Sequence, residues 1–184
     1  AVAGGLAALL LATKTGRKIS GKLLAVGSVA AVGTLAYTAY QKWAQSQGKT
    51  TDENSDAPLA TLTGVSADKR SQLILRAMLA AARADGVIDA DEQRSLEQQL
   101  QRMDGAEDAK EWLRAEMLTP HDVDSIAKQV DSTAAAAEVY LVSKLIIDEA
   151  SPVERAYLQQ LEHKLKLDPG LVEQIMAQVR TATA

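Results

Sequence analysis

Four carboxylates, Asp85, Asp89, Asp91 and Glu92, fall within eight residues around Gly86 in the segment ARADGVIDADE. Oxygen-rich clusters of this kind suit hard cations such as Ca²⁺ or Mg²⁺. The spacing is not that of an EF-hand: counted from Asp85, the positions that need glycine and glutamate hold Ala90 and Leu96. A second acidic turn carries Asp148 and Glu154, and the two turns together define a candidate metal set of Asp85, Asp89, Glu92, Asp148 and Glu154. Purely local roles compete with this reading. Asp89 can cap the next helix, Glu92 can close its capping box, and Asp91 suits a helix N-terminus. Asp85 is left over, because an acid at the end of the preceding helix opposes the helix dipole and calls for a positive partner, either an ion or a basic side chain.

Other chemistries have less to work with. Cysteine is absent, which excludes disulfides, thiolate metal sites and cysteine nucleophiles. His121 and His163 lack the neighbouring ligands of a zinc site; His121 reads as a first-turn helical residue and His163 as part of a solvated face. No nucleophile elbow or phosphate loop is present. The expectation is therefore a binding protein and not an enzyme, with an ion-handling protein or enzyme that uses the acidic turns as the alternative. Trp112 is either core or a partner contact, and Ala134–Ala137 reads as a close helix–helix contact.

The elements that must position these residues are helical. Apolar residues make up 47% of the 184-residue chain, yet aromatics are 3% and phenylalanine is missing, so the core must be built of Ala, Leu, Ile, Val and Met. Periodicity predicts seven short helices in the body, near 66–84, 89–103, 106–117, a short one after Thr119-Pro120-His121-Asp122, 132–148, 152–165 and 170–181. Thr119 reads as an N-cap followed by proline at the first position, and Ser151-Pro152-Val153-Glu154 as a capping box. Two halves look alike: AARADGVIDADEQRSLEQQL parallels KLIIDEASPVERAYLQQL, which suggests a pseudo-twofold repeat that could pool the carboxylates of both turns.

The front differs in kind. Residues 1–50 hold Lys14, Arg17, Lys18, Lys22, Lys42 and Lys49 and no acid, whereas the rest holds the other 14 bases and all 24 acids, a net −10. An acidic body is a poor match for nucleic acid. Residues 23–41 carry no charge and as a helix would reach roughly 28 Å, about one hydrocarbon core. Tyr37, Tyr40 and Trp43 are placed like an interfacial aromatic belt, and Gly27, Ala31, Thr34 and Thr38 form a stripe of small residues suited to helix packing in lipid. A buried soluble helix or a small-residue oligomer core would carry the same pattern. Residues 1–13 form a second apolar stretch too short to span. The expected organisation is a membrane anchor over 1–45 with its main span at 23–41, a flexible linker over 46–66, and a helical domain over 67–184.

The segment ARADGVIDADE resembles the ADGxIDxxE signature of the tellurite-resistance TerB-like superfamily. More narrowly, GGLAALLLATKTGRK, the small-residue stretch and the late Ile147, Asp148, Glu154, Arg155, Tyr157 and Leu158 resemble YebE-type inner-membrane proteins. The resemblance covers nearly the whole chain. It implies an all-α, TerB-like bundle behind a single-pass anchor in a bacterial inner membrane, and an interaction module associated with envelope or metal stress, in some members with divalent-cation binding. Partners implied are the lipid bilayer and a second copy or another membrane protein; counting bases on either side of the span puts the domain in the periplasm. The second turn departs from the signature, with Asp148-Glu149 in place of Asp-Gly, which weakens the idea of two equivalent ion sites.

Overall fold

The computed structural model describes residues 29–48, 57–84, 86, 94, 97, 98, 101, 107–147 and 151–182. Among the described residues the chain is all-α, with seven helices and no strand. These are α1 (Val29–Ser46), α2 (Gly64–Ala82), α3 (Glu107–Leu118), α4 (Val123–Ala127), α5 (Thr133–Ile146), α6 (Pro152–Lys164) and α7 (Pro169–Ala182), with a 3-10 turn at Leu59–Thr61. The count includes α1, which lies ahead of the expected body. The helix expected at 89–103 lies mostly outside the described residues, although Arg94, Glu97, Gln98 and Gln101 are helical.

Helix α5 is the centre. Twelve of its 14 residues are buried, all but Thr133 and Lys144. A helix that is apolar on every side must be surrounded, and α5 is: α1, α2, α6 and α7 all pack on it. Its alanine run, Ala134–Ala137, lets neighbouring helices approach closely, and all four alanines are buried. Ser132 starts the helix, its hydroxyl accepting from the Ala135 amide at 3.1 Å.

The reading of 23–41 as a membrane span finds no support in the described residues. No helix there is long and apolar enough to cross a membrane. From Val29 onward this stretch is α1, which packs on α5 and α7. Val32, Ala36, Ala39, Tyr40, Trp43 and Ala44 recur at helical spacing and are buried in the shared core. Tyr40 and Trp43 thus sit inside the protein, and Tyr37 packs against the same cluster. Trp43 Nε1 donates to Asp168 Oδ1 at 2.9 Å, tying α1 to the start of α7. Asp168 Oδ1 also accepts from the Gly170 amide at 2.8 Å. A Cβ on Gly170 would stand 3.0 Å from that oxygen and 3.3 Å from Trp43 Cδ1, so glycine is what permits the close approach. Of the small-residue stripe, Thr34 is exposed, Thr38 is half-buried with its hydroxyl donating to the Thr34 carbonyl, and Gly27 and the Ala31 side chain lie outside the described residues. The physical cause is that small apolar residues such as Ala36, Ala39 and Ala44 suit a tight protein interior as well as a lipid one.

Of the stretch 46–66, residues 49–56 lie outside the described residues, while Leu59 is buried and α2 already begins at Gly64. The Leu59 amide donates to Glu138 Oε1 at 2.8 Å, in the middle of α5. Arg70 of α2 donates to the other oxygen at 2.9 Å, and also to Asp131 at 2.9 Å and to the Ser132 hydroxyl at 3.3 Å. Glu138 is fully buried and Arg70 is 7% exposed. Burial pushes the Glu138 carboxyl above its ordinary value, and the Leu59 amide and Arg70 guanidinium pull part of that back.

The corner before α4 also departs from expectation. Asp122, not Thr119, is the N-cap: its side chain accepts from the Ser125 amide at 2.7 Å. The Thr119 hydroxyl turns back to the Ala115 carbonyl at 2.8 Å and closes α3. The capping box at the head of α6 is present as read, with Pro152 in its first turn.

Replacing Arg70 with methionine strands the Glu138 carboxylate, and urea unfolding at neutral pH is expected to show a loss of about 3–5 kcal/mol. Because the folded carboxyl is raised, its burden is relieved as acid protonates it. The loss is therefore expected to shrink as pH falls through the folded value. A loss that grows in acid contradicts this account.

Candidate functional site

The acidic turn opens where α2 stops. Arg83 ends the helix, and the Gly86 amide donates to the Arg83 carbonyl at 3.0 Å. Gly86 has φ 154°, a region a side chain rarely enters, which accounts for a glycine in the ADG segment. Asp85, Asp89, Asp91, Glu92 and Asp148 lie outside the described residues. Glu154 is described, and it is committed locally. Its Oε2 accepts from the Ser151 amide at 3.0 Å, while its own amide donates to the Ser151 hydroxyl at 3.1 Å. Among the described residues no group of three His, Asp or Glu side chains could hold a metal ion.

Arg83, two positions before Asp85 in the sequence, reaches the end of α3. Its guanidinium donates to the Thr119 carbonyl at 2.7 Å and to the Met117 carbonyl. These are the free carbonyls at the negative end of α3, where a cation is favoured. Burial pushes the guanidinium below its ordinary value.

Beside it a polar cluster joins α2, α3 and α4. Arg76 grips Glu116 with two bonds, Nε to Oε2 at 3.0 Å and a terminal nitrogen to Oε1 at 2.6 Å. Its other terminal nitrogen donates to Gln129 at 2.7 Å. The guanidinium lies 5.7 Å from the centre of the Trp112 ring, a cation–π arrangement. The Arg76 bonds hold the Glu116 carboxyl below the usual carboxylate range, with burial opposing them. Trp112 is half-buried and packs against the core, so its ring serves this cluster. His121 precedes the N-cap of α4, with Nε2 2.7 Å from Glu116 Oε2. His163 is exposed, in keeping with a solvated face. On the other side of α4, Lys164 of α6 pairs with Asp124 at 2.7 Å.

Two tyrosines complete the described titratable interior. Burial pushes Tyr140 and Tyr157 up to about 12. Neither exchanges a proton near neutral pH.

Sequence reasoning overlooked the residues that organise this interior: Arg70 and Glu138, Arg76 and Glu116, and Asp168. One signal was available, since Glu138 is a lone charge inside AAAAEVYLV. Arg76 and Glu116 are 40 positions apart, and nothing local announces their pairing.

Among the described residues the chain is an all-α bundle, with Gly86 in a turn that follows the apolar helix α2. The chain belongs to the family described as "Protein of unknown function (DUF533)", a TerB-like family whose profile matches residues 1–179. It is also similar to a Yersinia enterocolitica protein described as "Uncharacterized protein in ampR 5'region". The two are 27% identical over 113 residues, covering 61% of this chain and 81% of that protein. No solved structure matches.

Glu116→Gln removes two charge-assisted bonds, and urea unfolding at neutral pH is expected to show a loss of about 2 kcal/mol. Because the folded carboxyl is depressed, its contribution is complete above the ordinary carboxylate range, about pH 4.3. It disappears as pH falls through the folded value. Wild type and variant are thus expected to converge in acid; a gap that widens there contradicts the assignment.

Proposed function

We propose that the protein is a membrane-associated TerB-like interaction module that binds partners or itself, with acidic turns that take a divalent cation under envelope or metal stress. The observation that carries the interaction reading is the use made of the interior charges. Arg70, Glu138, Arg76, Glu116, Arg83 and Glu154 each join one helix to another or cap a helix end. Such a body is a rigid frame whose variable chemistry is left to its surface.

Attachment to the bilayer falls to the front. With Val29–Gln41 committed to the helical core, the segment available for lipid is 1–28. It carries Lys14, Arg17, Lys18 and Lys22, no acid, and the apolar run AVAGGLAALLLA. Basic clusters beside apolar residues are drawn to anionic lipid, at about 1 kcal/mol per base near the surface. The body, with its excess of acids, is repelled by the same surface.

Flotation of the full chain with vesicles tests the attachment. Binding is expected to vesicles containing phosphatidylglycerol, and to weaken when Lys14, Arg17, Lys18 and Lys22 are all replaced with glutamine. Failure of the full chain to float with either anionic or neutral vesicles overturns it.

Calorimetric titration of the full chain with Ca²⁺, Mg²⁺, Mn²⁺ and Zn²⁺ tests the cation. Heat from at least one ion is expected, and its loss in Asp85→Asn with Glu92→Gln. Silence across all four retires the ion while leaving the interaction reading in place.

A further inference from the structure

The loop between α3 and α4 sets a histidine against a carboxylate in a close contact shut off from solvent. The His121 side chain is 8% exposed and its Nε2 stands 2.7 Å from Glu116 Oε2. That is the length of a charge-assisted bond. Nε2 is sealed from solvent, and the Glu116 carboxylate is the charged group that faces it. The oxygen already accepts from Arg76 Nε at 3.0 Å. A bare Nε2 sets its lone pair against those of the carboxylate, whereas a protonated one makes the same approach attractive.

The surrounding charges come from each packed element. Arg76 and Arg83 reach in from α2, the first onto Glu116 and the second onto the Thr119 carbonyl of the same loop. Glu116 comes from α3. Asp122 follows His121 in the chain and senses its charge, and Lys128 at the end of α4 faces Asp122. Gln129 contributes a neutral amide bound to Arg76.

We propose that this corner is a proton-operated joint, in which a proton on His121 Nε2 draws the ring onto Glu116 and docks residues 119–122, and its loss frees them. Glu116 is suited to be the fixed half. Arg76 keeps its carboxyl below the usual range, so it stays ionised throughout the interval, about pH 5–8, in which histidines change charge. Residues 119–122 join α3 to α4, so the joint sets how firmly α4 is held to the end of α3. A change in pH would thereby alter the surface at that corner without touching the core.

The test is NMR of the full chain between pH 5 and 8. Imidazole ¹⁵N shifts follow the His121 ring, the Glu116 carboxyl ¹³C shift follows its partner, and hydrogen exchange of the Thr119 amide reports docking. That amide donates to Ala115 and Glu116 carbonyls at 3.1 and 3.2 Å. Expected is a Glu116 response that tracks His121 titration, with Thr119 exchange, corrected for its intrinsic pH dependence, several-fold slower on the acid side. His121→Gln should flatten that exchange profile, and His163→Gln should leave it unchanged. A flat wild-type profile, or the same profile in His121→Gln, overturns the proposal. If His121→Gln does not fold, the wild-type spectra decide alone: a Glu116 carboxyl that ignores His121 titration is equally fatal.

Discussion

A carboxylate is buried in the middle of the most apolar of the described helices, and the described architecture turns on how Glu138 is held. Taking such a charge out of water costs several kcal/mol even after relaxation. Glu138 is tolerable because one oxygen meets the Leu59 amide and the other meets the Arg70 guanidinium. Those partners come from two consecutive elements early in the connection between α1 and α5: the 3-10 turn at Leu59–Thr61 and the first half of α2. One residue thus fixes where α2 lies along α5 and where the chain leaving α1 returns to the bundle.

The composition explains the need for such a device. A core with no phenylalanine, built on Ala134–Ala137 and on Ala36, Ala39, Ala77, Ala80 and Ala81, offers smooth helix faces. Smooth faces pack closely but discriminate weakly between neighbouring registers, and uniformly packed cores lose uniqueness before they lose stability. Buried polar pairs restore the discrimination, since a slip of one turn leaves a charge unpaired at a cost far larger than a mispacked methyl group. The same logic recurs at smaller scale where Trp43 reaches Asp168 beside Gly170, and where Arg76 forks Glu116. Each tie crosses between helices distant in sequence.

This division between local and distant interactions sets what could be read in advance. The boundaries of α2, α3, α5, α6 and α7 were legible to within two residues, because caps, prolines and apolar periodicity act over one or two turns. Ser151 and Glu154 are the clearest case, with both halves of their box present. At Thr119-Pro120-His121-Asp122 two residues compete for the cap, and local rules do not rank them; Asp122 wins because the Thr119 hydroxyl is spent on closing α3. The charged interior was not legible, since Arg70 and Glu138 become partners only after α2 and α5 have packed. The acidic turn stands between these cases. Gly86 has the backbone its motif demands and Glu154 has a capping role, while Asp85, Asp89, Glu92 and Asp148 lie outside the described residues.

The stretch 23–41 shows why hydropathy alone could not place it. Its residues are mostly Ala, Gly, Val, Leu, Ser and Thr, each with a small free-energy preference between water, lipid and protein interior. The balance is set by what surrounds them. From Val29 onward the surroundings are α5 and α7, and Tyr37, Tyr40 and, just beyond, Trp43 pack in or against the core they share. A membrane would bury the same methyl groups but would offer the Trp43 indole no acceptor equivalent to Asp168, which is itself held by the Gly170 amide. From Val29 onward, apolar contact with α5 and α7 sets where α1 lies, and a few polar atoms at its end, Trp43 Nε1 on Asp168 above all, fix its register there.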